Sequence, residues 1–332
     1  MAGACQSYPL TSFHKELLAV TTPHTFSKDC VEYGMNVTLK SLAKTDHQFF
    51  SSCSSPAGFP KPSNVPVCVT EDYVNVTQKS IEVIGDCLEL PIKEILPKLK
   101  GESGFFHNAL GRGYDAGIGQ MTKGAIIDAK RHMKVLKEHV WRKAPTNASC
   151  QFIKNHWDEL TKVTSASVEN RCELTSWPLN PFKNFLWFGS YFLWLRKLVE
   201  NEYDYKKIKN KIPNINHKAL KNILANVAYN TGPNQIINVL SDFLDKRKKS
   251  GKTVTKEDFN FKSDLGWINL VKPELWKSIP IQSLTFPGYV KIYLNLGHPG
   301  YLPDLMKQIY NYNNVLGENT CTPNKIEGYL AI

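Results

Sequence analysis

Residues Leu179–Val199 are apolar and aromatic on nearly every face, and this segment constrains the fold more than any other. A helix that is hydrophobic all round has to be buried. Its longest apolar run, Phe185–Leu195, is broken by Gly189 and Ser190 and falls far short of the ~20 residues that span a bilayer. We therefore read it as a core helix whose tryptophans pack rather than offer a ligand platform. The chain has 332 residues, enough for one large domain or two ordinary ones with a buried core. At 42% hydrophobic and 21% charged it is neither a disordered polar chain nor a membrane bundle.

Helical spacing recurs elsewhere. Ile81, Ile84, Leu88, Ile92, Ile95, Leu96 and Leu99 mark Ser80–Lys100 as helical, with Pro91 and Pro97 dividing or capping it. Phe105–Gly119 is rich in glycine and reads as a loop. Met121–Val140 is helical in pattern, followed by a breaker at Ala144–Asn147. Ala219–Tyr229 and Asn234–Arg247 are amphipathic helices separated by Asn230–Pro233, and a last helix is expected over Pro303–Tyr312. The expected fold is mainly α, with little sheet and no internal repeat.

The cysteines bear on the compartment. Of eight, five fall before residue 90, none forms a C-x-x-C pair, and none stands at close metal-site spacing with histidine. That pattern argues for disulfide staples in an oxidising environment and against a zinc ribbon or thioredoxin-type site; the connectivity stays open. Pro56, Pro60, Pro62 and Pro66 with Gly58 break regular structure, so residues 1–80 are expected to form a stapled, irregular cap ahead of a domain at 81–332. Met1–Ala4 is not followed by an apolar stretch, so no signal peptide is read. The chain is expected to be an exported mature form, periplasmic or extracellular.

Lys plus Arg outnumber Asp plus Glu by 41 to 30, a net charge of +11. The excess favours a polyanionic partner: nucleic acid, anionic lipid or an acidic wall polymer. The basic residues are spread out except for Lys246–Lys249, which is expected to be a solvated helix end. They are not gathered with aromatics into a familiar nucleic-acid module, so no nucleic-acid partner is expected. No phosphate loop, zinc signature or dinucleotide fingerprint occurs, and neither cofactor nor metal is expected. The sequons at Asn36, Asn75 and Asn147 carry little weight in an Asn-rich chain. His107 is expected at a cleft rim or in packing.

Candidate chemistry lies in three blocks. Gly101-Glu102-Ser103-Gly104-Phe105 ends an apolar helix and opens the glycine loop. A carboxylate there can be shielded and still meet a ligand, and apolar burial favours its protonated form. Asp115-Ala116-Gly117-Ile118-Gly119-Gln120-Met121 comes next; its glycines permit close approach, and Gln120 offers a donor and an acceptor to sugar hydroxyls or amides. Ala228-Tyr229-Asn230-Thr231-Gly232-Pro233 terminates a helix. An Ala-Tyr-Asn-x-Gly pattern arises by chance roughly once in several hundred chains of this size.

In combination, the Glu-Ser pair, the Gly-Ile-x-Gln that ends eighteen residues after the Glu and the Ala-Tyr-Asn-x-Gly resemble the lytic transglycosylase family of the lysozyme superfamily. Asn180-Pro181 through Asn184-Phe185, then Gly189-Ser190-Tyr191-Phe192-Leu193, is similar to that family's buried helix. Pro287-Gly288-Tyr289-Val290 is similar to its closing Tyr-Val element. The resemblance covers roughly 90–130 and 178–295; the segment at about 130–178 reads as an insertion. It implies a lysozyme-like helical domain that acts, as a monomer, on peptidoglycan at the bond between N-acetylmuramic acid and N-acetylglucosamine. Glu102 would be the single acid and then the base on the muramyl 6-hydroxyl. Tyr229 would support the charged intermediate, and Ser103, Gly117, Gln120, Asn230 and Tyr289 would line the substrate. Two departures stand out: Gly111 where the family commonly has serine, and Thr285-Phe286-Pro287 where it often has glutamate before Tyr-Val. Goose-type lysozymes share the Tyr-Asn motif and hydrolyse, but their flanking acids would fall near Gly111 and Thr122. Asp115 is the nearest carboxylate for activating water. Hydrolysis, with an altered preference for the N-acetyl group, and a catalytically silent wall-binding module are the alternatives.

Overall fold

The computed structural model describes residues 5–23, 26–42, 50–52, 61–63, 67–110, 115–163, 171–201, 205–259, 275, 278–280 and 283–293. The protein is mainly helical and divides into two compact units, Met1–Trp194 and Leu195–Ile332. The helix expected at Pro303–Tyr312 and the departure at Gly111 lie outside the described residues.

The first unit opens with α1 (Ser12–Leu18), capped by Thr11, whose hydroxyl accepts from His14 N–H. Next come α2 (Lys28–Leu42) and a short antiparallel pair, β1 (Phe50–Ser52) and β2 (Lys61–Ser63), with Phe50 opposite Ser63. Helix α3 (Glu71–Leu88) is capped by Thr70 and buries Val76, Ile81 and Ile84 completely. It ends at Glu89 in the left-handed region, φ 52°. Pro91 then precedes α4 (Ile92–Ser103), which keeps Pro97 inside it. So Pro91 caps as expected, while Pro97 is absorbed at the loss of one N–H donor.

Within residues 1–80, expected to be an irregular cap, the described residues include α1, α2 and the first half of α3, and residue 80 lies within α3 rather than at a junction. Helix α3 packs on α1, α2, α4 and α6, so the leading segment shares one core with the later helices of its unit.

Helices α5 (Lys123–Lys143), α6 (Ala148–Asn155) and α7 (Trp157–Thr161) occupy the region read as an insertion. They are tied to the rest of the unit. Cys87 at the end of α3 is bridged to Cys150 on α6, and Trp187 Nε1 donates to Leu160 O at 3.0 Å. Trp187 is fully buried, and Phe185, Phe188 and Phe192 stack in succession along α8 (Phe182–Asn201), the all-apolar core helix. A second bridge joins Cys5 to Cys68, and Cys30 is disulfide-bonded as well.

The second unit holds a single turn, α9 (Tyr205–Ile208), then α10 (His217–Thr231) and α11 (Pro233–Lys249), which pack against each other, and α12 (Phe286–Tyr293). Gly232 at φ 80° stops α10, and Pro233 starts α11. Phe243 on α11 meets Phe259, Phe286 and Tyr289. The run Lys246–Lys249 is only partly the solvated end expected. Lys246 Nζ reaches Tyr289 Oη at 2.8 Å, and Arg247 is buried in an ion pair with Asp258. Among the described residues no helix is long and apolar enough to cross a membrane.

Candidate functional site

The motif residues of the first unit converge on the last turn of α4. Gly104 caps that turn at φ 58°, and a Cβ there would stand 2.1 Å from Thr38 Oγ1, so both conformation and space require glycine. Ser103, fully buried, lies just before it. Its hydroxyl accepts from Phe105 N–H at 3.1 Å and stands 3.0 Å from Leu99 O and 2.8 Å from Ile118 O. This serine was expected to line the substrate; instead its hydroxyl is consumed in pinning the end of α4 to the glycine block.

The same holds for Gln120 and Gly117. Gln120 is buried at φ 47°, and its amide donates to Ala109 O at 3.0 Å and Gly117 O at 2.8 Å. Both N–H bonds are committed to the backbone rather than to a sugar. Gly117 sits at φ 76°, where a Cβ would lie 2.2 Å from Asn184 Nδ2. Asn184 is the clamp. Its Nδ2 donates to Ala116 O at 2.9 Å and Leu174 O at 3.0 Å, and its Oδ1 accepts from Gly119 N–H at 2.8 Å. Asn180 Oδ1 in turn accepts from Asn184 N–H at 2.9 Å at the start of α8. Three separated stretches of sequence are thus fastened together by side-chain-to-backbone bonds.

Glu102 projects from this framework with 18% of its side chain exposed. One helical turn earlier, Lys98 has a side chain with no exposure at all, and its Nζ lies 3.0 Å from Glu102 Oε1. The expectation of an acid shielded among apolar groups is therefore incomplete, because a buried amine stands beside it. Burial drives the Lys98 pKa below its ordinary value, and Glu102 opposes that shift without cancelling it. The two side chains thus form one short polar contact at the end of α4, an amine with no exposure against a carboxyl that is partly exposed. Sequence reading misses Lys98, since Lys and Glu four residues apart also describe an ordinary solvated pair.

Asp115 is half-buried at the entrance to the glycine block, next to Ala116, which bridges Leu110 and Met121. Thr122 serves as the cap of α5. His107 is a packing residue. It is buried, its Nδ1 lies 3.0 Å from Tyr73 Oη, and burial pulls its pKa down to about 3.

In the second unit Tyr229 ends α10, half-buried, with Asn230 exposed beside it. Tyr289, expected at the substrate, is buried on α12; its hydroxyl donates to Asp242 and accepts from Lys246. Its phenol is pushed up to about 12, chiefly by burial. It is a packing and hydrogen-bonding residue of its own unit. Sequence reading also passes over Asn222 and Asn226, buried at i and i+4 on α10, whose Oδ1 atoms have no hydrogen-bond partner among the described residues. Among the described residues no group of three or more His, Cys, Asp and Glu side chains is arranged to hold a metal ion. No family model, curated protein or solved structure matches the chain.

Proposed function

We propose that the protein is a peptidoglycan-cleaving glycosidase of the lytic transglycosylase kind, with Glu102 as its acid. The observation in favour is the convergence in the first unit. The Glu-Ser, Gly-Ile-x-Gln and Asn-Pro…Asn-Phe motifs, far apart in sequence, are bound into one network that leaves Glu102 partly exposed. Ser103 and Gln120 hold the turn and the glycine block through hydrogen bonds to backbone, which supports a positioned carboxyl at Glu102.

In this reading Glu102 gives its proton to the glycosidic oxygen as the bond from that oxygen to C1 breaks, through an oxocarbenium-like transition state. The resulting carboxylate takes the proton of the muramyl 6-hydroxyl as that oxygen bonds to C1. The product is a 1,6-anhydro end, formed without water, and Glu102 is restored. Purified protein incubated with peptidoglycan is expected to release muropeptides lighter by one water than the reducing-end products of hydrolysis, and Glu102→Gln is expected to release none. Undiminished release by that variant removes Glu102 as the acid; reducing ends in place of anhydro ends establish hydrolysis.

A second reading, a wall-binding module without activity, is favoured by one observation: Lys98 Nζ stands against Glu102 Oε1. An ammonium held there opposes an acid that has to lend its proton. Binding to sacculi without release of muropeptides is the outcome that selects it.

A further inference from the structure

We propose that the outward face of α5 is a docking surface for an anionic phospholipid bilayer. Helix α5 carries seven Lys or Arg and two Asp or Glu, a net +5 in 21 residues out of a chain of 332 whose whole charge is +11. Lys123, Lys130, Arg131, Lys134, Lys137 and Arg142 are all exposed. At about 3.6 residues per turn these positions fall on one side of the helix, opposite the buried Ala125, Ile126, Ala129, Met133, Leu136 and Val140. From Lys123 to Arg142 the row runs about 28 Å at about 1.5 Å per residue. Asp128 is paired with Arg131 at 3.0 Å, leaving Glu138 as the acid that interrupts the row.

Charge alone does not choose among polyanions; the apolar residues on the same face do. The described residues include three large hydrophobics that are exposed, and two of them, Ile127 at 37% and Val135 at 49%, lie among these cations. Trp141 is half-buried at the end of the row, with Lys137 Nζ 4.9 Å and Lys154 Nζ 5.7 Å from its ring centroid. A nucleic acid or polyphosphate meets the lysines but gains nothing from exposed isoleucine and valine. A bilayer offers phosphates at the height of the lysine heads and an acyl boundary to the aliphatic side chains and the indole. With no membrane-crossing helix among the described residues, the attachment is peripheral. The proposal stands apart from the wall-cutting reading and survives its failure.

The test is co-sedimentation of the whole chain with vesicles of phosphatidylglycerol and, separately, of phosphatidylcholine. Binding to the first and not the second is expected, falling steeply with added salt. Each basic residue near an anionic surface contributes about fivefold to partitioning, so Lys123→Glu/Lys130→Glu/Lys134→Glu is expected to weaken it about a hundredfold or more. Ile127→Ser/Val135→Ser is expected to weaken vesicle binding while leaving any binding to polyphosphate unchanged. Failure of the wild-type protein to sediment with phosphatidylglycerol overturns the proposal, and that result needs no variant to fold. Retention of binding by a folded charge-reversed triple variant also overturns it. Vesicle binding that the Ile127→Ser/Val135→Ser variant does not alter, matched by equal affinity for polyphosphate, replaces the bilayer with a soluble polyanion.

Discussion

Lowering the pH from 7.5 to 5 is expected to remove about 4 kcal/mol from the stability of the first unit, because two histidines are buried there without charge. His14 is 0% and His107 1% exposed. Desolvation pulls their pKa values down to about 4 and about 3, and a charge on His14 would lower His107 further. Their rings sit with Trp177, at 4.1 Å from His14 and 5.4 Å from His107, and Tyr73 Oη adjoins His107 Nδ1. In the unfolded chain both rings take up a proton near 6.5. Below that pH the unfolded state binds more protons than the folded one, so the stability is whole above 6.5 and drains away as pH falls. The drop from 6.5 to 5 costs about 2 kcal/mol for each ring. The window avoids ordinary carboxylates, which titrate lower. Urea unfolding at both pH values measures the loss. His217, in the second unit, is also lowered by burial, so the decisive sample is His14→Asn/His107→Asn, in which an amide replaces each Nδ1 acceptor. That variant is expected to lose most of the difference between the two pH values. If it keeps the full wild-type difference, or if wild type shows none, the assignment of these rings as neutral and buried is wrong.

The same geometry carries three further expectations. Lys98→Met, which fills a buried slot with an apolar chain, is expected to keep the fold and, on the proposed function, to move the pH–rate profile of muropeptide release; an unchanged profile shows that the 3.0 Å contact between Lys98 and Glu102 plays no part in the chemistry. Ser103→Ala leaves Phe105 N–H without its 3.1 Å acceptor and Ile118 O without its 2.8 Å donor, a cost of about 1–3 kcal/mol readable in thermal unfolding. Cys87→Ala/Cys150→Ala opens a loop closed over 63 residues, and chain entropy puts the loss at about 4 kcal/mol; a midpoint shift in urea worth under about 1 kcal/mol refutes the structural weight given to that bridge.

The helices legible in the sequence are those with long, unbroken periodicity. Expected spans Leu179–Val199, Met121–Val140, Ala219–Tyr229 and Asn234–Arg247 meet observed Phe182–Asn201, Lys123–Lys143, His217–Thr231 and Pro233–Lys249. Helices α1 and α2 escape notice because prolines and serines further along the leading segment dominate its texture, while α1 itself has seven residues. Within the motif blocks, the hydrogen bonds of individual side chains are not legible in sequence. A serine, a glutamine and a glycine near a glutamate look like ligand groups until their hydrogen bonds are seen to end on the backbone. Lys98 is invisible for the opposite reason, since nothing in its spacing from Glu102 tells a buried amine from a solvated one. The cations of α5 go unnoticed because a search for runs overlooks charges three and four residues apart, which only a helix brings side by side.

The two bridges Cys5–Cys68 and Cys87–Cys150 also bear on timing. Glutathione and thioredoxin in a cytosol hold such thiols apart, so a newly made chain there would lack both clasps, and α3 and α6, which Cys87–Cys150 joins, would open more readily. The chain would then be at its most stable only in an oxidising compartment, with thiol chemistry setting where that stability is gained.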